Sequence, residues 1–408
     1  MTPYQCSWVR IWNSLANLLP RHMSSQLFSS DALMQSAQKA AGYSDFGCTT
    51  FLEPLQKFLE ALEETGDLHP FGRFYVKKVI TGLLVHRLRL TALWQGHPQI
   101  FDETIRKPII ILGLPRTGTS FLFNLLAQDP DHRFLSNWEA TISQVPPEGS
   151  YVFQSDPRRK QAMTLMKLQD RLAPNLKHIH TFYLDGPEEC TPLLLQGFTT
   201  LALVGMFNVP RYSLWLDTAS HLSTYHHYKR ILQTLQWKYP GERWLVKSPA
   251  HIEAITAILD VLPDACIVQM HRDPVKSIPS YASLCATFRG IYMQHIDVEA
   301  LGSQVLTRLA ADYDNYLIQR QQCDSSRFMD VQYHELIDDP FGTACRIYER
   351  FDLQLSAEAE KNMGAFLAKQ PKEGSAHRYR PEDFGLSHQQ IRDHLRDYIL
   401  AFNVPDEI

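Results

Sequence analysis

Three short stretches of the chain place cationic side chains at or just after apolar runs. Arg116 lies in the turn GLPRTGTS, Lys247 ends RWLVK, and Arg272 follows ACIVQMH. Arginine and lysine at such positions bind multiply charged anions. The carboxyl ends of parallel strands form the edge of an α/β sheet at which ligands gather. We therefore expect one anion site that draws on all three stretches.

The glycine-containing turn joins an apolar run, KPIIILG, to a helical pattern, FLFNLLAQ. Backbone N–H groups and a helix N-terminus then point to one place, and the hydroxyls of Thr117, Thr119 and Ser120 add donors. The turn differs from the nucleoside triphosphatase loop, because Thr119 stands where that loop has its phosphate-binding lysine. The cation lies inside the turn as Arg116, whose planar fork suits a terminal phosphate or sulfate bound without a metal.

The turn PRTGTSF resembles the phosphosulfate loop of the sulfotransferases, which use 3'-phosphoadenosine 5'-phosphosulfate (PAPS) as co-substrate and release 3'-phosphoadenosine 5'-phosphate (PAP). This resemblance implies that the loop holds the 5'-phosphosulfate and that the aromatic residue after it stacks near the adenine. The residues concerned are Arg116, Thr117, Gly118, Thr119, Ser120 and Phe121.

Two further elements resemble the same family and follow in its order. An arginine that ends a buried strand and a serine eight residues later bind the 3'-phosphate in that family, and here they are Arg272 and Ser280. Lys247 resembles the lysine that points at the bridging oxygen of the phosphosulfate. The segments GLPRTGT, LVKSPAH and HRDP are similar to those of bacterial members, and VQYHELIDDP is similar to a stretch late in many members.

The catalytic roles implied by this resemblance fall on four residues. Lys247 stabilises the departing oxygen, and Arg116 shares binding and charge stabilisation. His251 is one candidate for the general base, although the cytosolic enzymes carry their histidine two positions earlier, where this chain has Pro249. Glu139 is the alternative, because carbohydrate sulfotransferases use a carboxylate. Further candidates are His180, Glu188 and Glu189.

The hydrophobic pattern predicts an α/β fold with a P-loop-like parallel sheet flanked by helices. We expect a helical N-terminal region over residues 1–106, packed on the core, and a sulfotransferase α/β domain over 107–408. Within that domain, 140–242 is predicted to be a mostly helical substrate or lid insertion. A further strand is predicted over 328–337. The late segment GSAHRYRPEDFGLS, with His377, Arg378 and Arg380, is either a cover for the 3'-phosphate or a solvated loop.

Composition excludes several other classes of protein. The chain has 40 Lys and Arg against 44 Asp and Glu, so it lacks the basic field that a nucleic-acid partner requires. Its seven cysteines are scattered without a C-x-x-C pair, which favours a reducing, cytoplasmic location over a disulfide framework or a thiolate metal site. His178 and His180 have no apparent third ligand, so we expect no metal. No apolar run is long enough for a transmembrane segment.

These observations predict a sulfotransferase that moves a sulfuryl group from PAPS to a hydroxyl or amine of a small-molecule acceptor. The many aromatic residues within 140–242 indicate an apolar or aromatic acceptor. A homodimer is compatible with the sequence, and residues 8–19 either lie on a membrane surface or pack on the protein body. Two alternatives stay open: a P-loop small-molecule kinase, which would need magnesium held by an acidic strand end, and a catalytically inactive nucleotide-binding protein.

Overall fold

A computed structural model describes residues 11, 13, 28–142, 144–147, 149, 151–172, 183–370 and 379–407. Its centre is a parallel five-stranded sheet in the order β2-β3-β1-β4-β5. The strands are β1 (Ile109–Gly113), β2 (His132–Arg133), β3 (Arg243–Lys247), β4 (Cys266–His271) and β5 (Phe328–Gln332). The predicted parallel α/β fold is confirmed. The two-residue edge strand β2 was not predicted, because so short a strand leaves no hydrophobic pattern.

The central strand β1 is buried on both faces, which explains its unbroken apolar sequence. Ile110 and Leu112 enter one hydrophobic cluster, and Ile109 and Ile111 enter a second cluster on the opposite face. Successive side chains of a strand point to opposite faces, so helices must cover both sides of this sheet.

Helices precede the first strand, connect the strands and follow the last strand. Before β1 the chain forms α1 (Ser30–Ala41), α2 (Leu52–Thr65) and α3 (Pro70–Gly96). Between β1 and β3 it forms α4 (Thr119–Leu126), α5 (Asn137–Thr141), α6 (Arg158–Leu172), α7 (Thr191–Leu194), α8 (Leu201–Met206), α9 (Pro210–Leu216) and α10 (Leu222–Lys238). Between β3 and β5 lie α11 (Ile255–Val261), α12 (Pro274–Tyr292) and α13 (Val298–Gln321). After β5 come α14 (Tyr333–Asp338), α15 (Pro340–Arg350), α16 (Ala357–Ala368), α17 (His388–His394) and α18 (Arg396–Ala401).

The helices before β1 share one apolar core with part of the 140–242 region. Phe58 of α2 lies 5.4 Å from Phe207 and 5.7 Å from Tyr212, measured between ring centroids. Leu55 and Leu62 belong to the same cluster and are buried. The domain boundaries at 106, 140 and 242 stay predictions, and this shared core ties the N-terminal helices to the rest of the chain.

The prediction of a strand over 328–337 is wrong beyond Gln332. A capping box starts α14 at Tyr333, because the Glu335 carboxylate accepts a hydrogen bond from the Gln332 backbone N–H at 3.2 Å. The helix therefore begins directly at the carboxyl end of β5. This turn brings Tyr333 to the same sheet edge as the glycine-containing turn.

The structure gives no candidate for a membrane span: none of the helices in its described ranges combines sufficient length with sufficient apolar character. Of the amphipathic N-terminal segment, Trp8, Trp12, Leu15 and Leu19 lie outside the described residues, whereas Ile11 is exposed.

Candidate active site

A cavity of about 1360 Å³ lies where β1, β3 and β4 end. Arg116, Lys247 and Arg272 all line it. The three stretches that sequence analysis expected at one anion site therefore meet in a single cavity.

The glycine-containing turn presents its backbone to this cavity through two left-handed residues. Arg116 has φ 72° and Gly118 has φ 89°. The turn is closed by Thr117, whose hydroxyl donates to the Leu114 carbonyl at 2.8 Å and is therefore occupied within the protein. A Cβ atom at Gly113 would lie 2.6 Å from the Met270 carbonyl oxygen, so the turn also requires glycine at its start.

The hydroxyl and aromatic residues that follow the turn begin helix α4. Thr119, Ser120 and Phe121 line the cavity. Phe121 also packs against Phe366, with ring centroids 6.1 Å apart. The first turn of a helix offers unpaired N–H groups, so this corner of the cavity favours an anion.

Lys247 is buried at the end of β3 between a hydroxyl and a carboxylate. Its Nζ donates to Ser120 Oγ at 3.1 Å and makes an ion pair with Glu189. Only 2% of the lysine side chain is exposed, so its ammonium group is held in one place. This contact links the end of β3 to the first turn of α4.

Arg272 and Ser280 both reach the glycine-containing turn through Arg116. Arg272 Nη1 donates to the Arg116 carbonyl oxygen at 3.1 Å, and Arg116 Nε donates to Ser280 Oγ at 3.1 Å. Burial lowers the pKa of Arg116, yet a guanidinium keeps its charge. Arg272 also makes a bidentate ion pair with Glu407.

Tyr333 is a site residue to which sequence analysis gave no role. The Arg272 guanidinium carbon lies 3.8 Å from the centroid of its ring. A Cβ atom at Gly118 would lie 3.0 Å from Tyr333 Cδ2, so the same ring packs on the turn. The signal in the sequence was the stretch VQYHELIDDP, which begins at the carboxyl end of β5.

Neither His251 nor Glu139 is among the described residues that line the cavity. His251 is fully buried, its Nδ1 lies 2.8 Å from the Tyr225 hydroxyl, and burial lowers its pKa to about 3. Glu139 is fully buried in the capping box of α5, where it accepts hydrogen bonds from Arg133 at 3.0 Å and from the Ser136 hydroxyl at 2.8 Å. Their neighbours Ala250 and Ala140 do line the cavity, so the roles of His251 and Glu139 stay predictions.

Of the remaining candidates, some lie on the cavity wall and others lie outside the described residues. Glu188 and Glu189 line the cavity. Glu188 accepts a hydrogen bond from Asn137 Nδ2 at 2.7 Å, whereas Glu189 contacts Lys247 and keeps 24% of its side chain exposed. His178, His180, His377 and Arg378 lie outside the described residues. Within the described ranges, no group of three or more His, Cys, Asp or Glu side chains is arranged to hold a metal ion.

The rest of the cavity wall is mainly apolar and comes from α3, α6, α8 and α12. Its side chains include Val79, Leu83, Leu168, Met206, Leu284 and Phe288. The cavity thus has a cationic end and an apolar end, and its volume of about 1360 Å³ exceeds that of an ordinary single-ligand pocket.

Comparison with known proteins agrees with this geometry. The chain is 27% identical over 256 residues to omega-hydroxy-beta-dihydromenaquinone-9 sulfotransferase Stf3 of Mycobacterium tuberculosis and of Mycobacterium bovis, a match that covers 60% of this chain and 63% of the relative. It therefore spans less than two thirds of the length of these relatives.

Two solved structures are similar over nearly the whole chain. Sulfotransferase STF9 from Mycobacterium avium is 30% identical, with a TM-score of 0.84 over 93% of this chain and 98% of that one. Sulfotransferase STF1 from Mycobacterium tuberculosis is 29% identical, with a TM-score of 0.81 over 90% of this chain and 98% of that one. The model of the sulfotransferase family matches residues 108–357. The chain belongs to the sulfotransferase family.

Proposed function

We propose that this protein transfers a sulfuryl group from PAPS to a hydroxyl group of an elongated apolar acceptor. The observation that carries the proposal is the convergence of Arg116, Lys247 and Arg272 on one end of a cavity whose other end is apolar. The family supports sulfuryl transfer, while the donor and the acceptor are our inference.

The cationic end of the cavity fits a nucleotide with phosphate groups at two positions. In our proposal the turn amides, Arg116 and the first residues of α4 bind the 5'-phosphosulfate, as they would any anion at a helix N-terminus. Arg272 and Ser280 bind the 3'-phosphate. Because Arg116 contacts both, it couples the two ends of the donor. Thr117 contributes through its backbone, since its hydroxyl closes the turn.

The proposed step is an in-line displacement at sulfur. The acceptor oxygen forms a bond to sulfur while the bond from sulfur to the bridging phosphate oxygen breaks, giving a sulfate ester and PAP. Negative charge grows on the departing oxygen, and the Lys247 ammonium, held beside Ser120, is positioned to stabilise it. The acceptor proton leaves to a base.

Glu189 is our choice for that base. It lines the cavity, its side chain is partly exposed, and it lies against the ammonium group that we assign to the departing oxygen. His251 and Glu139 are buried and do not line the cavity, and Glu139 has its oxygens engaged in a helix cap. An aliphatic alcohol needs such a base, whereas a phenol loses its proton more readily.

The apolar end of the cavity supports an acceptor with a long hydrocarbon part. The relative Stf3 is named for a hydroxylated menaquinone derivative, which is a molecule of this kind. We propose a hydroxylated apolar acceptor for this chain as well, with its hydroxyl near Glu189 and its chain along α3 and α12. Transfer to an amine is the less favoured form, because the relative Stf3 is named for a hydroxylated acceptor.

The cellular setting belongs to the same proposal. The described cysteines are all free, as expected in a reducing compartment, and we therefore place the enzyme in the cytoplasm. PAP is the proposed second product.

The test is a transfer assay with radiolabelled PAPS and a panel of phenols, short alcohols and hydroxylated isoprenoids. We expect a sulfate ester and an equal amount of PAP, with the highest kcat/KM for long apolar alcohols. Phosphate transfer from ATP and magnesium, without sulfate transfer, would instead identify a kinase. PAP binding without product from any acceptor would identify an inactive nucleotide-binding protein.

A further inference from the structure

The guanidinium group of Arg272 is already occupied by a carboxylate of the same chain. Arg272 Nε lies 2.8 Å from Glu407 Oε1, and Nη2 lies 2.9 Å from Oε2. Two parallel N–H donors on two carboxylate oxygens form the bidentate geometry in which arginine also binds a phosphate. Glu407 therefore holds the edge of Arg272 that an incoming phosphate would use.

The position of Glu407 is fixed by the residue next to Arg272. The Asp273 carboxylate accepts hydrogen bonds from the Glu407 backbone N–H and from Arg392 Nη2, each at 3.0 Å. Arg392 also makes an ion pair with Asp406. The stretch HRDP thus binds the backbone of this late segment through Asp273 and its side chain through Arg272.

Arg272 has little capacity left for a second anion. Its Nη1 donates to the Arg116 carbonyl oxygen at 3.1 Å, and its face packs on the Tyr333 ring. If a dianionic phosphate lay beside the Glu407 carboxylate, the two groups would carry more negative charge than one guanidinium can balance, and they would repel each other. The nucleotide and Glu407 therefore compete for the same group.

We propose that Glu407 is a functional residue of the nucleotide site, which competes with the 3'-phosphate for Arg272. The inference rests on the proposed function, because it takes Arg272 as the 3'-phosphate ligand. Glu407 leaves when PAPS binds and takes Arg272 back as PAP departs, so it lowers the affinity for both nucleotides and speeds product release. The side chains of Arg272 and Glu407 are 22% and 27% exposed, which leaves water access for this exchange.

The experiment compares the full chain with its Glu407→Gln variant, which keeps the shape of the side chain and removes the charge. Isothermal titration measures Kd for PAP and for adenosine 5'-monophosphate, which lacks the 3'-phosphate. We expect PAP to bind about ten-fold tighter to the variant and to dissociate correspondingly more slowly, because the competing ion pair is lost. Binding of the monophosphate should stay unchanged. Glu349→Gln, at an exposed glutamate of α15 that does not line the cavity, is the matched control and should behave as the unmodified protein.

The outcomes separate this inference from the proposed function. Equal or weaker PAP binding by Glu407→Gln, while the unmodified protein still prefers PAP over the monophosphate, would overturn the competitor role and leave the proposed function intact. If the unmodified protein bound PAP and the monophosphate with the same affinity, and the variant did so too, both the competitor role and the proposed function would be overturned.

Discussion

Arg272 donates a hydrogen bond to the main-chain carbonyl of Arg116 at 3.1 Å, across 156 positions of the sequence. Arg116 itself adopts φ 72°, a conformation that costs a non-glycine residue roughly 1 kcal/mol or more and persists only where the surroundings hold it. Its hydrogen bond to Ser280 supplies a second restraint. Hydrogen bonds therefore connect directly the residues that we assign to the two ends of the donor.

Replacing Lys247 with alanine should reduce kcat by roughly 10²- to 10³-fold, because the departing oxygen loses its cationic donor. PAP affinity should fall much less, since PAP lacks the transferred group. Steady-state kinetics and PAP titration measure the two effects. Lys276→Ala, at an exposed lysine of α12, is the control and should leave both values unchanged. A kcat of Lys247→Ala within a factor of three of the unmodified enzyme would remove the lysine from the mechanism.

Replacing Glu189 with glutamine should reduce kcat for an aliphatic alcohol by roughly 10²- to 10⁴-fold and for an acidic phenol by clearly less, because only the alcohol needs a strong base. The comparison variant is Glu139→Gln. It should lower the free energy of unfolding by about 3–5 kcal/mol, since it leaves Arg133 buried without its carboxylate. If Glu139→Gln folded stably but lost activity while Glu189→Gln stayed active, Glu139 and not Glu189 would be the base.

Much of the sheet and the site could be predicted from sequence, because buried parallel strands and the glycine-containing turn leave strong local patterns. The base that we propose could not be selected from sequence, because the selection depends on which side chains line the cavity. His251 follows Lys247 closely in the chain, yet the turn Pro249–Ala254 directs it onto Tyr225. Glu189 comes from a distant segment. The contacts of Tyr333 and Glu407 with Arg272 likewise span more than 60 residues and leave no local signal.

Filling the apolar end of the cavity should change acceptor binding without unfolding the protein. Gly82 of α3 lines the cavity, and a Cβ atom there would meet no other atom within 4 Å. Gly82→Leu should therefore raise KM for a long apolar alcohol by about tenfold and leave KM for PAPS unchanged. Gly96→Leu, in equally open space at the end of the same helix and not on the cavity wall, should leave both unchanged. Unaltered acceptor kinetics in Gly82→Leu would place the acceptor elsewhere.

The buried His251 should make stability depend on pH. Its pKa is about 3 in the folded protein and about 6.5 in the unfolded chain, so the unfolded state binds the extra proton as the pH falls below 6.5. The histidine's contribution to stability is thus present above pH 6.5 and is lost towards pH 3. When the pH is lowered from 7 to 5, the free energy of unfolding should fall in the unmodified protein by about 2 kcal/mol more than in His251→Gln. Urea titrations at the two pH values measure this difference. Identical pH profiles would show that His251 is not buried in its neutral form.

The central claim is that Arg272 binds the 3'-phosphate of a nucleotide whose 5' end lies at Arg116. Isothermal titration of Arg272→Ala with PAP and with adenosine 5'-monophosphate tests it directly. We expect PAP binding to weaken by roughly 30- to 100-fold, while binding of the monophosphate changes by less than about threefold. Equal weakening of both ligands, or no weakening of PAP, would contradict the assignment of Arg272 and with it the proposed donor.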